Sequence, residues 1–126
     1  MTILVTGAAG FIGSNFVLDW FDNSQEEVVS IDILTYAGNL ENLSSLDGNS
    51  HHHFIRGNIG DGSLVSEILK KYQIRAIVNF AAESHVDRSI HGPGDFIDTN
   101  IVGTYSLLES VRSYWNDLDE ATKKAF

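Results

Sequence analysis

Ser84, His85 and Asp87 stand within four positions of one another in NFAAESHVDRSI, residues 79–90, and these are the side-chain types of a hydrolase triad. A triad works only when its members converge on one point, whereas neighbours along a chain point apart. The sharp strand-to-helix turn that exposes a nucleophilic serine between glycines is also missing, because Ser84 stands between Glu83 and His85. The stretch therefore reads as a binding loop rather than a nucleophile. His85 is expected to brace that loop, and Arg88 to pair with Asp87 or another carboxylate on it.

A different chemistry is written in VTGAAGFIG, where Gly7, Gly10 and Gly13 lie between a short apolar run and an amphipathic one. A glycine-rich turn feeding a helix brings backbone close to a pyrophosphate and offers it the free amides at the helix's positive end. Gly7 would make the sharp turn, Gly10 the close approach and Gly13 the tight packing of helix on sheet. Asp32 follows Gly13 by 19 residues, at the end of the next apolar run, where a carboxylate accepts from both hydroxyls of a ribose. The same carboxylate repels a 2′-phosphate, and Ala8, Ala9, Ile33 and Leu34 supply no positive charge to offset it. NAD is thus expected in preference to NADP.

These residues need elements to hold them. Ile3 to Val5, Val28 to Ile31, His53 to Ile55 and Ala76 to Phe80 are short, rich in β-branched residues and apolar without alternation, as strands covered on both faces are. Between them, Phe11 to Phe21 places Ile12, Phe16 and Trp20 at helical spacing. Asp61 to Tyr72 does the same with Leu64, Ile68 and Tyr72, beside Val65 and Leu69, and Asp61 or Ser63 can cap it. Asp95 to Trp115 is the longest expected helix. Its stripe is Ile97, Ile101, Leu108, Val111 and Trp115, with Val102, Tyr105 and Leu107 off it, so one side should meet the sheet and another a partner subunit. The turn-rich stretch 35–50 is expected to hold a short helix near Leu40 to Leu46. The alternation predicts an α/β fold: a Rossmann-like parallel sheet of about four strands with helices on both faces, forming one NAD-binding domain over residues 1–126. The fourth strand then lies beside the first, and the loop leaving it opens where strand order reverses, the usual ligand site of such sheets.

Composition narrows the partners. The chain has 126 residues, 43% of them hydrophobic and 20% charged, the balance of a globular domain. A net charge of −9 argues against nucleic acid and anionic membranes, and the lack of cysteine removes disulfides and thiolate metal sites. His51 to His53 form no metal site in a strand, since only His51 and His53 share a face and no acid or thiol adjoins them. No stretch approaches the roughly 20 apolar residues of a membrane span, and MTILVTGAAG lacks a basic leader, so a cytoplasmic protein is expected.

The G-x-x-G-x-x-G spacing resembles the short-chain dehydrogenase/reductase superfamily, in particular its extended branch. With LTYAGN after Asp32, AAESHVDRSI after the fourth strand and TNIVGTYSLLE in the long helix, nearly the whole chain is similar to the N-terminal portion of the dTDP-glucose 4,6-dehydratase family. AAESHVDRSI is the most specific of these motifs, because related sugar-nucleotide epimerases usually carry a shorter A-x-x-H form. The resemblance implies that Phe11 and Ile12 lie against the NAD pyrophosphate, that Asp32, Ile33, Leu34 and Thr35 hold the adenosine ribose, and that Asn58 and Ile59 flank the adenine. It further implies that Phe80, Ala81, Ala82, Glu83, Ser84 and Thr99 run along the nicotinamide half, with Ser84 also touching the sugar nucleotide. The family usually has aspartate where this chain has Asn58. An amide oxygen can still take the adenine amino group, so an altered contact is expected.

Enzymes of this superfamily use a tyrosine with a lysine four residues later; four residues beyond Tyr36, Tyr72, Tyr105 and Tyr114 stand Leu40, Ala76, Glu109 and Leu118. The dehydratases' Thr-Asp-Glu acid pair, the later strands and the sugar-nucleotide domain are not in this sequence either. The expectation is a chain that supplies the NAD site and no catalytic residue. In the complete enzyme the resemblance implies hydride transfer from C4 of dTDP-glucose to NAD, loss of water across C5 and C6, and return of hydride to C6. A related nucleotide-sugar epimerase or decarboxylase, or a non-catalytic NAD-binding module, are the other readings. An open edge on the fourth strand and uncovered apolar surface predict self-association, with a homodimer the simplest form.

Overall fold

The computed structural model describes residues 1–35, 38–83 and 90–126. Ser84, His85, Asp87 and Arg88, and Tyr36, lie outside the described residues. Four strands, β1 (Thr2–Thr6), β2 (Glu27–Asp32), β3 (His52–Arg56) and β4 (Ile74–Asn79), form one sheet in the order β3-β2-β1-β4. All pairings are parallel: Leu4 lies opposite Val29 on one side and Ile77 on the other. Parallel neighbours need crossovers, supplied here by α1 (Phe11–Asn23), a 3-10 helix (Leu40–Leu46) and α2 (Gly62–Lys71). This is the expected α/β sheet, with β4 next to β1.

Alternation along the strands sends side chains to both faces, and both are covered. Ile3, Val5 and Val28 join Val17 of α1 and Leu43 and Leu46 of the 3-10 helix. Leu4, Val29 and Ile31 face Val65, Ile68 and Leu69 of α2. Leu4 is fully buried between these layers, so truncation to alanine there costs about 2–5 kcal/mol. Two-sided burial is why β1 and most of β2 are apolar on both faces, whereas the edge strands β3 and β4 stay half-exposed and carry His52, His53 and Arg75.

Local signals set the helix ends. Asp61 caps α2, its carboxylate accepting from Leu64 N at 3.1 Å, while Lys70 and Lys71 sit in the last turn against the helix dipole. The 3-10 helix is capped by Asn39, which accepts from Glu41 N at 3.0 Å. Below the sheet's N-terminal edge, Arg75 forks onto Glu26 at 2.5 and 2.6 Å. This pair straddles the start of β1, because Thr2 is bracketed by Glu27 and Ile74. His51, His52 and His53 are each engaged: His51 Nδ1 with Gln25 O at 3.0 Å, His52 Nε2 with Ser30 Oγ at 2.9 Å, and His53 with Glu27 at 3.6 Å.

Two helix faces differ from expectation. On α1 the side turned to the sheet is Gly13, Ser14 and Val17; Ile12 is exposed, and Phe16 and Trp20 stack at its margin with ring centroids 5.8 Å apart. Close packing selects the small residues. The long helix is not uniform: α3 (Pro93–Ile97) runs into a π-helical segment (Asp98–Gly103) and then α4 (Thr104–Asp117), followed by α5 (Glu120–Ala125). Its expected stripe is largely the outward side, with Ile97, Ile101, Leu108 and Trp115 exposed and only Val111 partly packed. The buried row is Gly103, Leu107, Ser110 and Tyr114. Small residues at Gly103 and Ser110 let α4 lie close to Ile59 and Gly62, and the wider π turn shifts the register on entry.

Candidate functional site: a cleft at the carboxyl ends of the strands

The carboxyl ends of all four strands open into a cleft of about 670 Å³. It spans the boundary between β1 and β4, where strand order reverses, as the sequence predicts.

The glycine loop forms its floor. Gly7 has φ +62°, and a Cβ there would fall 2.6 Å from the Phe80 and Ala81 backbone. A Cβ on Gly13 would fall 2.2 Å from Gly7 O, so these two glycines are what lets α1, β1 and the loop after β4 meet. Gly10 caps α1 with extended backbone, no side chain bonds the first-turn amides, and no acid occupies that turn. Amides left without a side-chain cap at a helix N-terminus suit an anion. Phe11 and Ile12, expected at the pyrophosphate, occupy this first turn with 81% and 66% of their surface exposed and do not line the cleft. Gly13 is buried in the helix–sheet contact, so its role is packing.

Asp32 ends β2 nearly buried, and each of its oxygens is held. Oδ2 accepts from Ala9 N at 2.9 Å and Oδ1 from Leu34 N at 2.8 Å. The first bond ties the acid to the glycine loop. The second goes with a left-handed Leu34 at φ 58°, a conformation costing about 1–2 kcal/mol in a non-glycine residue. The 3-10 helix adds two further tethers to the loop: Asn39 N and Asn42 Nδ2 both donate to Ala9 O, at 3.0 and 2.9 Å. Asp32, Ile33 and Thr35 line the cleft and Leu34 does not. Asn58 and Ile59 line the wall beyond Asp32, at the end of β3.

On the other side, Phe80, Ala81, Ala82 and Glu83 leave β4 along the cleft, and Thr99 faces them from the π-helical segment. Thr6 and Asn79 join by a short side-chain hydrogen bond, and Ala81 N donates to both Thr6 Oγ1 and Asn79 Oδ1 at 3.3 Å. Asn100 takes the next step: its Oδ1 accepts from Glu83 N and its Nδ2 donates to Glu83 O, both at 2.8 Å. Asn100 escapes sequence reasoning, because an asparagine inside a helical run looks like any polar surface residue. His91, Asp95, Phe96 and Asp98 also line this side unanticipated. The Gly92-Pro93 helix start in HGPGDF is the signal that a wall begins there. Ser84, the expected contact to the sugar nucleotide, lies outside the described residues. Among the described residues no cluster of His, Asp or Glu is arranged to hold a metal ion, and no helix is long and apolar enough to cross a membrane.

A parallel sheet with an uncapped helix start, a buried acid at the end of β2 and a cleft at the strand-order reversal defines a dinucleotide-binding α/β protein. The chain belongs to the GDP-mannose 4,6 dehydratase family, whose model matches residues 4–125. It is 58% identical over 125 residues to the dTDP-glucose 4,6-dehydratase of Xanthomonas campestris pv. campestris (strain B100), an alignment covering 99% of this chain and 35% of that protein. Identity to an Escherichia coli dTDP-glucose 4,6-dehydratase is 53% over 126 residues, covering 100% of this chain and 35% of the relative. The crystal structure of the dTDP-glucose 4,6-dehydratase from Streptomyces venezuelae, solved with NAD bound, matches with a TM-score of 0.83 and 45% identity, over 90% of this chain and 36% of that one. The chain thus spans about a third of the length of the relatives it matches.

Proposed function

We propose that this chain forms the NAD site of a dTDP-glucose 4,6-dehydratase, a lyase that makes the 4-keto-6-deoxy sugar nucleotide. The observation that carries it is the Asp32 carboxylate bound to Ala9 N, which fixes a ribose acceptor against the glycine loop. The residues present fit the dinucleotide: uncapped amides at the start of α1 for the pyrophosphate, Asp32 for the ribose and an apolar slot at Ile59 for the base. When bound, NAD supplies the acceptor for hydride from C4 of the sugar and the donor that returns it at C6.

This chain's own residues bind and orient. Gly7 and Gly10 bring backbone to the pyrophosphate, with Phe11, Ile12 and Gly13 completing the first turn of α1. Ile33 and Thr35 shape the ribose wall, and Leu34 steadies Asp32 from behind it through its backbone N. Asn58 and Ile59 flank the adenine, and Phe80 to Ser84 with Thr99 border the nicotinamide, Ser84 reaching the nucleotide sugar. Asp32 sets the preference for NAD over NADP by charge. The small-molecule partner is dTDP-glucose, supported by the naming of the relatives. A cytoplasmic setting goes with this reading, since both cofactor and nucleotide sugar belong to that compartment. Self-association, as a homodimer, is supported by the exposed apolar side of the long helix, Ile97, Ile101, Val102, Tyr105 and Leu108.

Calorimetric titration of the chain with NAD and with NADP tests the reading. Saturable binding of NAD, weakened or abolished for NADP and lost in Asp32→Ala, is the expected result. Equal affinity for both dinucleotides would overturn the role given to Asp32, and binding of neither would overturn the site.

A further inference from the structure

Asn58 occupies a turn that settles which way its amide lies. Its side-chain Oδ1 accepts from Gly60 N at 2.8 Å, and its backbone carbonyl accepts from Asp61 N at 3.0 Å. Only an oxygen can accept from Gly60 N, so the orientation of the amide is set by the backbone. The other branch, the NH2, has no partner among the described residues, and Asn58 lines the cleft past Asp32. We infer that Asn58 presents a hydrogen-bond donor to the purine, so that this site takes a 6-oxopurine dinucleotide at least as tightly as the adenine one. The inference rests on the dinucleotide reading of the cleft given above.

The chemistry follows from the edge of the base. Adenine carries an amino group at C6, a donor that needs an acceptor opposite. Hypoxanthine carries a carbonyl there, an acceptor that an NH2 satisfies directly, and its N1, an acceptor in adenine, carries a proton. An amide NH2 can reach a ring nitrogen of adenine but cannot accept its amino group, which is left to the second lone pair of an oxygen already bonded to Gly60 N. An aspartate at the same place keeps the turn, since one carboxylate oxygen still accepts from Gly60 N, and it offers the base a second acceptor in place of the donor. Asn58→Asp therefore changes the polarity of one atom at the base edge while conserving the local fold.

The test is titration of the chain and of Asn58→Asp with NAD and with nicotinamide hypoxanthine dinucleotide, comparing the ratio of the two dissociation constants within each protein. The added negative charge weakens both ligands alike, so the ratio isolates the base edge. The expected result is a wild-type ratio at or in favour of the hypoxanthine form. In the variant it moves toward NAD by about three- to tenfold, the scale of one net hydrogen bond. Binding of both dinucleotides with the same ratio in the two proteins overturns this inference and leaves the cofactor site standing. So does a wild-type preference for NAD. Binding of neither by either protein overturns both readings.

Discussion

Asn100 meets Glu83 as one β-strand meets the next, its side-chain amide accepting from Glu83 N and donating to Glu83 O at 2.8 Å each. A helix side chain thereby does what a sheet neighbour would do for the chain leaving β4. Asn100→Ala removes both bonds at once, a loss of about 1–3 kcal/mol. We predict NAD affinity about tenfold lower, with a smaller fall in Tm. An Asn100→Ala protein that binds as tightly as wild type would show that the 80–83 wall holds itself.

Gly13 has no room for a methyl group, with Gly7 O 2.2 Å from where its Cβ would stand. Gly13→Ala forces α1 off β1 and costs about 1–3 kcal/mol or more. Gly94 is the control: its Cβ would meet nothing within 4 Å, and Gly94→Ala should be neutral or slightly stabilising. Chemical denaturation of the two variants gives the comparison.

His52 makes stability depend on pH. Burial holds its pKa below the ordinary 6.5, the neighbouring His53 lowers it further, and Asp47 from the loop after the 3-10 helix opposes them. The Ser30 hydroxyl faces it from β2 and the Phe21 ring edge from α1, neither bringing charge. A depressed pKa means that the fold prefers the neutral ring. The stabilisation is complete above about pH 6.5 and is lost as pH falls through the folded value. Denaturation midpoints should therefore drop as pH falls below about 6.5, and His52→Gln should flatten that slope. Glu26, lowered by its bond to Arg75, gives a separate loss below its ordinary 4.5, which His52→Gln leaves in place.

The exposed side of the long helix predicts its own outcome. Leu108 and Tyr105 are 61% and 65% exposed on adjoining turns. Sedimentation should show a species heavier than a monomer that dissociates on dilution, and Leu108→Lys or Tyr105→Glu should leave monomer with the fold intact. Monomer at every concentration in the wild type would mean that this face has no self-partner.

The sheet, its strand neighbours and the glycine loop with Asp32 are legible in the sequence because each demands few residue types. Two-sided burial needs continuous Val, Ile and Leu, and a positive φ beside a backbone crossing needs Gly7. The faces of the long helix are illegible for a physical reason. Ile101, Leu108 and Trp115 repeat every seven residues, and so do Leu107 and Tyr114 one position earlier, so periodicity offers two equally good stripes. The choice falls to Gly103 and Ser110, whose smallness matters only once α2 lies alongside, and to a π turn that no pattern announces. The outward turn of the Phe11 and Ile12 side chains is illegible for a related reason: an apolar residue at a helix start has no signal for facing solvent.

The place of β1 between β2 and β4 carries a kinetic consequence. Thr2 pairs with Glu27 close by in sequence and with Ile74 far along it, and the cleft needs both pairings closed. Parallel contacts of such separation are slow to form. During refolding from denaturant, dinucleotide capture should lag the first recovery of helical signal and arrive together with closure of the β1–β4 seam. The occupied site would then be a clock for the last long-range step of folding.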